Sequence, residues 1–73
     1  MKRKNAYDVF ILIDKIRHEN KISIISLCEN IIDTKSYYRF LRKIRIPRLD
    51  SVLNLISKLG LSYIEFHIIL EKQ

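Results

Sequence analysis

Six cations, Lys35, Arg39, Arg42, Lys43, Arg45 and Arg48, fall within residues 34–48 with no acidic residue among them. Such a block repels itself unless a polyanion neutralises it, so the chemistry it suits is contact with phosphates or another anionic surface. Thr34, Ser36 and Tyr38 are interleaved with the first of these cations and add hydroxyls and a ring able to reach base edges. A smaller block, Lys2, Arg3 and Lys4, opens the chain. Of the formal net charge of +6, residues 1–5 carry +3 and residues 34–48 carry +6, against −2 over residues 6–33 and −1 over residues 49–73. Nucleic acid is the leading partner and an anionic membrane the second; the plainer alternative is a solvated face.

Bond-making chemistry finds little support. His18 and His67 have no Cys or His partner at ligand spacing, so no metal site is expected and both read as surface residues. One glycine rules out a glycine-rich phosphate loop, and no Ser/His/Asp set is present. An enzyme is therefore not expected, nor a cofactor. The single Cys28 cannot form an internal disulfide and reads as a filler of a small inward position rather than a redox switch, in a reduced, cytoplasmic protein. No apolar run approaches the ~18 residues of a membrane span. The basic start resembles a signal peptide, but Asp14 and Lys15 interrupt the apolar run after it and no small-residue cleavage site follows.

A chain of 73 residues, 48% of them apolar, makes one small domain. Such a chain buries only ~60% of its unfolded surface, so a dimer partner would be unsurprising. One Gly and one Pro argue against a turn-rich sandwich and leave an all-α fold. After a basic flexible arm over residues 1–5, the domain covers residues 6–73. With Asn5 as cap, the first helix runs from Ala6 to about Glu19 and turns Val9, Leu12, Ile13 and Ile16 inward. Ser23 caps a second, to about Asn30, with Ile24, Leu27 and Cys28 inward. Asp33 caps a third from Thr34 to about Lys43, with Tyr37, Phe40, Leu41 and Ile44 on its core face and the cations opposite. Pro47 ends that segment. A fourth, from about Leu49 to Leu59, buries Val52, Leu53, Leu55, Ile56 and Leu59, and Gly60 suits a left-handed C-terminal cap. Ser62 and Glu65 form a capping box that opens a fifth, with Ile64 and Ile68 inward.

A short helix, a tight turn and a second helix with polar and basic residues at its start have the form of a helix-turn-helix. Residues 16 to 66 resemble the Cro and phage-repressor class, the XRE family. The segment from Pro47 to Phe66 is similar without gaps to that family's proline, fourth helix, Leu-Gly-Leu-Ser and fifth-helix start. Ile22-Ser23 and Leu27-Cys28 occupy positions where the family has Leu-Ser and Leu-Ala, and Arg17 stands where it has an arginine. Within the family, residues 29–40 look most like the N-terminal domain of Rgg and PrgX regulators. The resemblance implies a five-helix bundle of the lambda-repressor-like DNA-binding type. Three positions depart from its pattern: Ile24 replaces a glutamine, Leu41 the glutamate that pairs with the first-helix arginine, and Lys43 a glycine. Arg17 is then expected to lack its partner and to be free for a phosphate.

On this reading the third helix enters the major groove of double-stranded DNA. Thr34, Lys35, Ser36, Tyr38 and Arg39 are expected at base edges, with Tyr38 on a thymine methyl or a sugar. Arg17, Ser23, Arg42, Lys43, Arg45 and Arg48 are expected at phosphates. The Lys2-Arg3-Lys4 arm reaches along the backbone or into the minor groove, or is a solubilising tail. The apolar excess of the last helix either closes the small core entirely or forms a homodimer surface through Tyr63, Phe66, Ile69 and Leu70. The expected function is a transcriptional regulator, a repressor. The rival from another class is a protein-interaction or inhibitor module of phage or plasmid origin on the same scaffold, and a membrane-surface binder is a weaker third.

Overall fold

Short polar side chains at the expected positions set the starts of three helices, whereas a fourth begins after Arg48 with no side-chain cap. Ser23 Oγ accepts from the Ser26 N–H at 3.0 Å, and Asp33 Oδ1 accepts from the Ser36 N–H at 2.6 Å. Ser62 Oγ accepts from the Glu65 N–H at 3.1 Å while Glu65 Oε1 accepts from the Ser62 N–H at 2.9 Å, which completes the capping box. Each cap fills donors that the first helical turn leaves empty. In the computed structural model, which describes residues 6–73, the resulting helices are α1 Ala6–Glu19, α2 Ile24–Cys28, α3 Thr34–Leu41, α4 Leu49–Lys58 and α5 Tyr63–Glu71. The fold is an all-α five-helix bundle, without strands among the described residues. Asn5, the expected cap of α1, and the Lys2-Arg3-Lys4 arm lie outside them.

The backbone N–H donors at Asp33 and Glu65 hold both carboxyls below the usual carboxylate range. A carboxyl depressed in the folded state adds stability above its unfolded value and loses it as pH falls through the folded one. Acidification from about pH 5 to about pH 2 is therefore expected to lower the melting temperature. Asp33→Asn keeps a capping oxygen without the titration and should flatten that dependence, as followed by circular dichroism.

Four helices end on a left-handed residue, a stop the sequence displayed only at Gly60. Lys21, Asn30 and Lys43 take positive φ of 59°, 64° and 62°, alongside Gly60 at 83°. At Lys43 the bonds are Lys43 N–H to Phe40 O and Ile44 N–H to Arg39 O, and the same pair recurs at Lys21 and Ile22 after α1. This is the Schellman closure, made here by lysine in the conformation glycine prefers. It stops α3 at Leu41, short of the expected Lys43 and well before Pro47, because a left-handed residue cannot continue a right-handed helix. α2 likewise stops at Cys28 instead of Asn30. A non-glycine residue in this region costs ~1–2 kcal/mol, part of which glycine's greater unfolded freedom offsets. Lys21→Gly is thus expected to stabilise the fold by about 0.5–1 kcal/mol in urea unfolding. Gly60→Ala should destabilise it by a similar amount, through the backbone alone, since a Cβ there meets nothing within 4 Å.

The core gathers Phe10, Leu12 and Ile13 from α1, Leu27 and Cys28 from α2, Tyr37 and Phe40 from α3, Leu55 and Ile56 from α4 with Leu59 just after it, and Phe66 and Leu70 from α5. Phe10, absent from the expected inward set, is its aromatic centre: its ring lies 4.8 Å from Tyr37 and 5.1 Å from Phe40, centroid to centroid. Four expected core residues turn outward. Ile44 lies beyond the α3 closure and Leu53 on the outer side of α4, and both are exposed. Ile64 and Ile68 are exposed because they sit ~200° round the axis from Phe66 and Leu70, so α5 cannot bury both pairs against one core. Among the described residues no single helix is long and apolar enough to cross a membrane.

Candidate nucleic-acid interface

The orientation of α3 follows from what it buries. Asp33 fixes its start, and Tyr37 and Phe40 are drawn in against Phe10. The opposite face then carries Lys35, Tyr38, Arg39 and Arg42, at spacings of three, four and seven residues, and these four line one shallow open depression of about 250 Å³. No carboxylate lines it. Tyr38 stands partly exposed within this stripe of cations, its ring edge-on to Tyr37 at 6.4 Å and 87°, which limits its freedom to swing away.

Of the five residues expected at base edges, Lys35, Tyr38 and Arg39 share this stripe, and Arg42, expected only at phosphate, joins them. Thr34 is half-buried. Ser36 departs from the expectation: it turns to a separate depression of about 150 Å³ with Ile32, Phe40, Arg45, Ile46, Arg48 and Ser51. One residue of offset from Lys35 moves a side chain ~100° around the axis, enough to take it off the face.

Lys43, Arg45 and Arg48 are exposed in the segment between α3 and α4. Arg48 Nε meets Asp50 Oδ1 at 3.4 Å with both side chains largely in solvent, a weak pair that an incoming phosphate can replace. Ser23 is exposed, and because its oxygen accepts from Ser26, its own proton remains to donate outward. Lys58 Nζ donates to the Glu29 carbonyl at 3.3 Å and ties α4 to the turn between α2 and α3.

Arg17 corrects the expectation of an unpartnered arginine. Its Nε donates to Asp14 Oδ1 at 2.9 Å and its Nη1 to the Ile22 carbonyl at 2.7 Å, with the side chain only 14% exposed. Asp14 Oδ1 also accepts the Tyr37 hydroxyl at 2.7 Å. Burial and the Asp14 carboxylate push the Tyr37 phenol well above its ordinary range, so it stays a neutral donor. The partner that Leu41 cannot supply comes from one turn back on α1. Arg17 therefore joins α1 to the entry of α2 and, through Asp14, to α3, and its guanidinium is not free for a phosphate.

The expected dimer surface also changes. Phe66 and Leu70 are 1% and 7% exposed, within the core of a single chain, and Ile69 is half-buried. Tyr63 alone of the four is exposed, and it lies with Ile64, His67 and Ile68 on the outer side of α5. Its ring stacks on His67 at 6.3 Å, and His67 Nε2 stands 3.6 Å from Glu71 Oε1. The signal for this face was the Phe66–Leu70 pair, whose larger apolar area at i, i+4 outcompetes the neighbouring isoleucines for the core. Cys28 is buried, and burial pushes its thiol up, away from the reactive thiolate. His18 and His67 are exposed, and no group of three metal-capable side chains occurs among the described residues.

Comparison of the chain with protein-family models, with curated proteins and with solved structures finds no match.

Proposed function

We propose that this protein is a sequence-specific double-stranded DNA-binding regulator of transcription, a repressor acting in the cytoplasm, that lays α3 in the major groove. The observation that carries the reading is the acid-free stripe of Lys35, Tyr38, Arg39 and Arg42 on a helix whose other face is anchored by Tyr37 and Phe40. A groove about 12 Å wide admits one such helix, and lysine and arginine can donate to the acceptors of guanine. Lys35 and Arg39 are the base readers, with Tyr38 against a thymine methyl. Arg42, Lys43, Arg45 and Arg48, with the Ser23 hydroxyl, hold phosphates on either side. The resemblance of residues 16–66 to the XRE family supports the same docking.

A second copy, packed on the outer face of α5 through Tyr63, Ile64 and Ile68, places two such helices on half-sites about one helical turn apart. Selection from pooled random duplexes tests the whole reading. The expected result is an enriched motif of two related halves. With about four cations at phosphates, affinity for it should fall roughly a hundredfold between about 50 mM and 200 mM salt. Sequence-independent binding at moderate salt, with no motif, overturns the proposal.

A further inference from the structure

We propose that the segment from Ile44 to Leu49, with the depression beside it, docks an acidic amphipathic segment of another protein. Ile44, Ile46 and Leu49 are 67%, 65% and 71% exposed, three large apolar side chains held in water within a few residues of one another. Large apolar side chains left exposed along one short segment are candidates for an interaction surface. Beside them Val9, Pro47, Leu49 and Val52, all apolar, line a depression of about 200 Å³ that can take one large apolar side chain as an anchor. Along the segment the exposed Arg45 lies between Ile44 and Ile46, and the exposed Arg48 directly precedes Leu49, so cations alternate with the apolar residues. Asp50, the nearest acidic residue in sequence after them, is paired with Arg48.

Charge and shape together select the occupant. A phosphate backbone offers the isoleucines nothing. A second copy would bring one set of cations against another. A lipid surface meets side chains that protrude, whereas Pro47 is buried and Val9 and Val52 are half-buried, within reach of an inserted side chain alone. A segment that carries apolar anchors on one face and carboxylates around them matches all of these features, in the manner of a helix laid in a groove. The site does not use the α3 stripe, but it shares Arg45 and Arg48 with the phosphate contacts proposed above, so peptide and duplex would compete for these two cations while the apolar anchors belong to the peptide site alone.

Fluorescence anisotropy with a labelled synthetic peptide, leucines at i, i+3, i+4 and i+7 among glutamates, tests the proposal. The chain is expected to bind this peptide and not its scrambled isomer. Leu49→Ser should weaken binding about tenfold or more. The pair Arg45→Glu and Arg48→Glu should abolish it and create binding to the version with lysines in place of the glutamates. All three substituted residues are exposed, and circular dichroism melting of each variant verifies that it is folded. Equal binding of the scrambled peptide, or binding indifferent to Leu49→Ser, overturns the proposal. It is equally overturned if the peptide fails while phosphatidylglycerol vesicles bind, or while the chain self-associates through Leu49 in sedimentation.

Discussion

Asp14→Ala is expected to lower stability by about 3 kcal/mol. The Asp14 carboxylate accepts from both the Tyr37 hydroxyl and the Arg17 guanidinium. Alanine removes the acceptor of that hydroxyl at the edge of the core, and the cost of a covered donor left unpaired is about 1–3 kcal/mol. It also leaves a largely covered cation with the Ile22 carbonyl as its remaining acceptor. For a domain of this size the loss corresponds to a drop of roughly 12–24 °C in melting temperature. Asp14→Asn, which keeps an oxygen in place but not the charge, should cost less. Tyr37→Phe should cost about 1 kcal/mol, and adding it to Asp14→Ala should cost less than the two separately, because both act on one hydrogen bond. Urea unfolding of the four proteins checks the series, and strict additivity would show that the Tyr37–Asp14 bond carries no coupling.

Lys35→Ala combined with Arg39→Ala is expected to reduce affinity for the selected duplex by roughly a hundred- to a thousandfold, at about 1–3 kcal/mol for each base contact. Discrimination among base pairs should relax at the positions these residues face. Lys43→Ala should act differently: a uniform weakening across sequences and a shallower salt dependence, by about one ion. Arg17→Ala should move neither quantity and should lower stability, because its guanidinium serves the fold. Anisotropy titrations over a salt series distinguish the three behaviours. Unchanged selectivity in the Lys35 and Arg39 double variant would remove α3 from the role of reader.

Features determined by neighbours in sequence were legible. Ser23, Asp33 and the Ser62–Glu65 pair cap where they were expected to, since each bond closes within three residues. The inward placing of Tyr37 and Phe40 followed from helical spacing, and with it the outward stripe of Lys35, Tyr38 and Arg39. What escaped depends on tertiary context. Phe10 was one apolar residue among several on α1 until the aromatic pair on α3 packed against it. Arg17 looked unpartnered because the family pattern places its carboxylate on the third helix, and Asp14, on the same helix, has no position in that pattern. Lysine at a left-handed helix end gives no compositional signal, so the stop of α3 at Leu41 was invisible. On α5 the apolar residues are too many for one face, and which face the core takes depends on packing against α4.

The bond from Arg17 to the Ile22 carbonyl has a dynamic consequence. A helix of five residues such as α2 has too few internal bonds to persist by itself, given the cost of nucleating a turn. Its entry is held by a side chain of α1 and its exit by the lysine of α4 that meets Glu29. Local opening of α2 must therefore break contacts with α1 and with α4, so the short helix does not open independently of its two longer neighbours. Because α3 is tied to α1 through Tyr37 and Phe40 against Phe10 and through the Tyr37–Asp14 bond, the fold that anchors α2 also fixes the direction in which the α3 stripe faces.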